Sequence, residues 1–214
     1  MHKISRYPVP ELRDLPDDMR TRILEVQEKA GFVPNVFLTL AHRPAEWRAF
    51  MAYHDALLLK EGSGPTDQAG SGQSLKNQAG SGQSLTKGER EMIIVATSAA
   101  NKCLYCVVAH GAILRVYEKK PLLADQVAVN YLKADIPPRQ RAMLDFAMKV
   151  CRNSHAVEEA DFKALHEHGF SDEDAWDIAA ITAFFGLSNR MANVLGMRPN
   201  DEFYLMGRVP RAQR

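Results

Sequence analysis

Along most of the chain, apolar residues recur three and four positions apart, the spacing of one face of an α-helix. Ile23, Val26 and Ala30 mark such a face over 17–30, where acids lead and Gly31 follows as a stop. A short helix is predicted from Pro34 to Ala41, since proline suits a first helical position. A longer one runs from Pro44 to Lys60 on Trp47, Phe50, Met51, His54, Leu57 and Leu58, which read as core packing, the histidine included. Thr86-Lys87-Gly88-Glu89 reads as a capping box. It opens a buried helix on Met92, Ile93, Val95, Ala96 and Ala99 that ends near Ala100. Asn101-Lys102 breaks it, and a new helix covers 103–117. Beyond it come a loop and short helix between Pro121 and Lys133, then helices over Pro137–Cys151 and Glu158–His168. The last long helix opens at Ser171-Asp172-Glu173-Asp174, with acids at its positive end, and runs towards Leu195 and Gly196. The first 16 residues, punctuated by Pro8, Pro10 and Pro16, and the tail from Met197 read as irregular. No segment shows strand alternation, so the expected class is all-α.

Residues 61–85 break this pattern. QAGSGQSL stands at 68–75 and again at 78–85, in a Gly/Ser/Gln-rich stretch with almost nothing to bury. It reads as a flexible surface insertion within a single domain of 1–214, whose chemically equipped part is 86–150. The apolar share of 46% supports a real core, and a formal charge of +1 argues against nucleic-acid or membrane-surface binding driven by basicity. No apolar run approaches the roughly 18 residues of a membrane span. The opening MHKISRYPVPELRDLP lacks the apolar stretch of a secretory signal. Three cysteines with one close pair do not make a secreted disulfide framework, so a cytoplasmic, reducing location is expected. There, C-x-x-C is more often catalytic or metal-binding than structural.

That pair is Cys103-Leu104-Tyr105-Cys106, followed by His110. On a helix the two thiols and the imidazole fall within about 60° of one another, and Val107 and Leu114 share the stripe, so the polar groups face an apolar interior. The thiolate is the reactive form of cysteine, and two local effects favour it. The helix start stabilises charge near Cys103, while His110 lies one turn past Cys106. They point to different sulfurs and leave open which attacks. Glu91 shares a stripe with Ile94, Val95 and Ser98 on the preceding helix, and a buried carboxylate needs a partner. An imidazole would complete a Glu–His–Cys relay; an ordinary first-turn acid is the plain alternative. A zinc site is a competitor, with Cys103, Cys106 and His110 as ligands and Cys151-x-x-x-His155 offering a fourth. A non-enzymatic redox sensor is another. Finally, Arg90-x-Met92-Ile93-x-Val95-Ala96 echoes Arg141-x-Met143-Leu144-x-Phe146-Ala147, 51 residues on.

Glu91, eleven residues, Cys103-x-x-Cys106 and His110 together resemble the signature of the AhpD-like alkylhydroperoxidases of the carboxymuconolactone decarboxylase superfamily. GEREMIIVATSAANKCLYCVVAH, PPRQRAMLDFAMKV, EEADFKALHEHGFSDED and SNRMANVLGM resemble the branch called peroxidase-related enzymes. The resemblance covers most of 10–208 outside the insertion. It implies an AhpD-like helical bundle, usually a homo-oligomer. It also implies peroxide reduction through the cysteine pair; the sequence has no flavin, haem or nucleotide motif, so no cofactor is expected. Cys106 would be the peroxidatic thiol, Cys103 the resolving thiol, and His110 with Glu91 the proton relay. The disulfide formed would need an external dithiol, lipoyl or thioredoxin-like.

Overall fold

The computed structural model describes residues 3–59 and 85–208. The expected flexible insertion at 61–85 therefore lies outside the described residues, apart from Leu85, which is buried in the core. The described residues form ten α-helices and no strand. They are α1 (Asp17–Ala30), α2 (Asn35–Leu40), α3 (Pro44–Leu58), α4 (Lys87–Ala100), α5 (Leu104–Glu118), α6 (Leu123–Asn130), α7 (Pro138–Asn153), α8 (Glu159–Glu167), α9 (Asp172–Leu195) and α10 (Glu202–Leu205). The all-α expectation holds. One departure is α10, within a tail read as irregular; another is a 3₁₀ turn at Leu12–Asp14.

The organising element is α4. Eleven of its 14 residues are buried, because α5, α6, α7 and α9 all pack around it. A helix buried nearly all round is a core helix, and this one buries Glu89, Arg90, Glu91, Thr97 and Ser98 beside its apolar residues. Its start is closed by the capping box: the Glu89 N–H donates to Thr86 Oγ1 at 3.1 Å, and the Thr86 N–H donates to Glu89 Oε2 at 3.0 Å. Arg139, lying 3.8 Å over the Phe170 ring, pairs with the same carboxylate and ties α7 to this end. The echoed positions on α4 and α7 behave alike. Met92, Ile93, Val95 and Ala96 are buried, as are Met143, Leu144, Phe146 and Ala147. Arg90 and Arg141 each donate to a carbonyl of the segment before their helix.

Helix α9 has the length and composition of a membrane span, but half of that window is buried through residues such as Ile178, Ile181 and Phe185. It is a core helix. A second apolar cluster surrounds the cysteines, with Ala109, Ala112, Ala192, Leu195, Met197 and Phe203. The chain ends build its outer wall. Asn35 N–H donates to Asn200 Oδ1 and Asn35 Nδ2 to the Arg198 carbonyl, both at 2.8 Å, while Asn200 Nδ2 donates to the Val33 carbonyl at 2.9 Å.

Candidate active site

A tight turn joins α4 to α5. The Cys103 N–H donates to the Ser98 carbonyl at 2.9 Å and the Lys102 N–H to that of Ala99 at 3.0 Å, with Lys102 in the left-handed region at φ 54°. The chain reverses there, so residues at similar distances from the turn face each other across the hairpin. At about 1.5 Å rise per residue, Glu91 on α4 and His110 on α5 are such a pair.

Cys103 stands just outside the helix as its N-cap, in an extended conformation, and its sulfur accepts the Cys106 N–H at 3.4 Å. A sulfur in this position feels the unpaired N–H groups and positive end of α5. Both sulfurs are buried, with Cys103 at 1% exposure and Cys106 at 2%, and all three cysteines are free thiols. The Cys106 thiol donates to Cys103 and is the main reason that Cys103 is drawn down to about 7. Burial opposes this, while the Cys106 N–H, the Asn189 side chain and the charge of His110 assist it. Cys106 moves the opposite way: its proton is held by the bond to Cys103, and burial adds to the effect. Of the two sulfurs, Cys103 is the one drawn towards the thiolate, because Cys106 donates to it.

His110 Nδ1 lies 2.8 Å from Glu91 Oε2, with both side chains nearly buried. The ring meets the edge of Phe185 at 4.8 Å. Among the described residues no hydrogen bond joins His110 to either sulfur. The four residues selected from sequence thus form two contacting pairs, and His110 acts on Cys103 through its charge. A cavity of about 200 Å³ opens beside it, lined by His54, Leu58, Arg90, Glu91, His110 and Tyr117 among others. His54, read from sequence as core packing, lines this cavity. Burial lowers its proton affinity, against a 3.1 Å contact with Asp55, so it stays neutral near pH 7. A larger apolar groove of about 770 Å³ lies between α3 and α9, and none of the four site residues lines it.

Sequence reasoning missed the contribution of α9. Ser188 Oγ lies 3.9 Å from Cys106 Sγ. Asn189 is fully buried, donates to Ser98 Oγ at 2.9 Å and accepts from Asn101 Nδ2 at 2.9 Å. Both residues belong to the SNRMANVLGM stretch, but nothing local gives them a role there. Cys151 faces Asn101, with 3.6 Å from Nδ2 to Sγ, and His155 is exposed. Among the described residues no group of three or more His, Cys, Asp or Glu side chains is placed to hold a metal ion.

The carboxymuconolactone decarboxylase family profile matches residues 73–121, which include all four site residues. A comparison with curated proteins returned no match. Among solved structures, an uncharacterized peroxidase-related protein with an alkylhydroperoxidase AhpD core, from Ralstonia eutropha JMP134, is 76% identical. Its TM-score is 0.87, over 99% of this chain and 100% of that one. An uncharacterized peroxidase-related protein from Silicibacter sp. TM1040 is 38% identical with a TM-score of 0.82, over 96% and 97% of the two chains. A structure of the debrominase Bmp8 in complex with 2,3,4-tribromopyrrole shares the fold at 18% identity and a TM-score of 0.70, over 94% and 97%. Near-full-length agreement at 76% and 38% identity, with the decarboxylase-family profile over the α4–α5 hairpin, makes this chain a member of the AhpD-like, peroxidase-related branch of the carboxymuconolactone decarboxylase superfamily.

Proposed function

We propose that the protein is a thiol-dependent peroxidase reducing alkyl or hydrogen peroxides through Cys103 and Cys106. The observation that carries this reading is a buried pair of free thiols, one capping the helix start, beside a Glu91–His110 pair at 2.8 Å. Family resemblance gives the attack to Cys106 and resolution to Cys103. Cys103 is the sulfur drawn towards the thiolate, and the proton between the sulfurs need only cross one hydrogen bond to expose the Cys106 thiolate. That thiolate attacks a peroxide oxygen, the O–O bond breaks, and the departing alkoxide or hydroxide takes a proton supplied through His110. The product is an alcohol or water and a Cys106 sulfenic acid. Cys103 then displaces water from that sulfur and closes the disulfide. An external dithiol, lipoyl or thioredoxin-like, returns both thiols by exchange and leaves as its own disulfide. The reading places the protein in the reducing cytoplasm as a homo-oligomer, for which light scattering should give more than a monomer mass.

The test is peroxide consumption by the purified protein with a dithiol donor. Cys106→Ser should abolish turnover. Cys103→Ser should undergo one oxidation and leave a sulfenic acid that a dimedone-type probe labels. Labelling of Cys103 in Cys106→Ser, with an inert Cys103→Ser protein, reverses the two roles. Reversible oxidation without turnover would make this a redox-sensing helical module instead.

A further inference from the structure

We propose that the cavity beside His110 is a binding site for a small carboxylate, with the Arg90 guanidinium as its cationic anchor. Arg90 lies on α4 and is only 5% exposed. Arginine is always charged, and a charge taken out of water needs a partner. The two acids beside it in sequence are engaged elsewhere, Glu91 by His110 and Glu89 by Arg139. No carboxylate among the described residues pairs with Arg90. Its Nη1 donates to the Leu58 carbonyl at 3.3 Å, while its Nε is buried without a partner. Arg22 also has a buried Nε without a partner, but Asp55 meets its charge at 2.7 Å. Arg90 lacks that compensation. The bond to Leu58 accounts for a cation at the end of α3. It does not account for the orphaned side of the guanidinium.

Arg90 and Leu58 both line the cavity of about 200 Å³, so the guanidinium stands in its wall. Nε and Nη2 form one side of a guanidinium, and Nη2 makes no hydrogen bond among the described residues either. Two parallel N–H donors match the two oxygens of a carboxylate. Leu58, Leu59 and Ile113 give the cavity an apolar part, which suits a short hydrocarbon tail better than an inorganic anion. The volume limits that tail to a few carbons, since it lies below the roughly 300–1,000 Å³ of pockets for drug-sized ligands. Neither cysteine lines the cavity, whereas His110 does. A bound acid therefore meets the thiol site through the imidazole. Two sources fit this chemistry: a free carboxylate acting on His110, or the acid end of a molecule that the thiols reduce. The inference goes beyond the peroxidase reading and does not need it.

The experiment titrates the full-length protein with butyrate at fixed ionic strength, by calorimetry and by the Arg90 Nε–H resonance in isotope-labelled protein. Butyramide is the neutral isostere and inorganic phosphate the second anion. Butyrate should bind saturably, about tenfold or more tightly than butyramide, and move the Nε–H resonance. Arg90→Met removes the charge at similar length and should weaken butyrate about tenfold or more. Ile113→Trp fills the cavity, keeps the charge and should abolish binding. Butyrate that binds no better than butyramide overturns the inference, as does undiminished affinity in Arg90→Met. If that variant does not fold, undiminished affinity in Ile113→Trp overturns it. Phosphate that binds as tightly as butyrate overturns the carboxylate class. Kinetics separates the two sources. A hydroperoxide carrying a carboxylate should show KM about tenfold higher in Arg90→Met if its acid end occupies the site. Butyrate should change kcat for tert-butyl hydroperoxide, without competing, if a free acid does. Butyrate binding without peroxide turnover keeps the site and sinks the peroxidase reading; turnover without butyrate binding does the reverse.

Discussion

Single residues set the state of the sulfurs. Cys103 lies at about 7 against an ordinary 9.0, and its partner's proton is held tightly. Alkylation should therefore rise in one step centred near pH 7, with no second step below pH 9. The same shift gives a sign for stability. Between pH 7 and 9 the folded protein has already lost the Cys103 proton while the unfolded chain retains it, so stability rises with pH across that window. It is lost as pH falls through about 7. Cys106 retains its proton in both states there and does not oppose the trend. Denaturant midpoints at pH 6.5 and 8.5, compared with those of Cys103→Ser, measure this. Glu91 holds the His110 ring at 2.8 Å, and His110 acts on Cys103 through its charge. Glu91→Gln should raise the alkylation midpoint and slow peroxide reduction. His110→Ala should cost about 10²–10⁴ in rate, the scale of a lost general acid–base. An unchanged rate and midpoint in Glu91→Gln would reduce Glu91 to a first-turn acid.

At the scale of elements, local chemistry explains most helix boundaries. Thr86 caps α4 as its S/T-x-x-E pattern requires, and Thr86→Ala should cost about 1 kcal/mol in chemical denaturation. The end of α5 is less favourable. Lys119 sits exposed at its C-cap with φ 54°, a position normally held by glycine. Lys119→Gly should stabilise the protein by about 1 kcal/mol, the strain a side chain carries in that region. Helices α1, α4 and α9 were legible almost to the residue, because caps and glycine stops agree with their apolar spacing. Helix α10 was not, since four residues hold too little periodicity. It persists because buried Arg115 on α5 donates to the Met206 carbonyl at 2.9 Å and the Phe203 carbonyl at 2.8 Å. That partner lies 88 residues away from Phe203 and leaves no local mark.

The whole molecule decides access. Residues on both sides of the α1–α2 turn and after α9 close over the cysteines, and Val36 N–H donates to the Tyr105 hydroxyl at 3.1 Å within that cover. The clasp between Asn35 and Asn200 joins the two chain ends. Asn200→Ala removes a donor and an acceptor from a mostly buried site and should cost about 1–3 kcal/mol. It should also speed alkylation of the buried thiols, while the midpoint near pH 7 stays in place. A change in midpoint without a change in accessibility would show that the clasp acts on the charge of the pair and not on its cover.

The sequence by itself determined the helical class and most element limits, and it nominated Glu91, Cys103, Cys106 and His110 as the candidate set. Those signals are local: periodicity, caps, and a spacing contained within one hairpin. Tertiary structure alone decided three further matters. It brought Ser188 against Cys106, and Asn189 against Ser98 and Asn101, from a helix more than 80 positions downstream. It left His110 without a hydrogen bond to Cys106 among the described residues, although a single helical turn divides them in sequence; Glu91 binds one ring nitrogen and Phe185 packs against the ring. It also draws the Cys103 thiol down and pushes Cys106 up, where helix position and imidazole proximity had pointed to different sulfurs. The physical reason is common to all three. A hydrogen bond depends on ångström distances and fixed orientations, and these arise only when separate helices pack around one core.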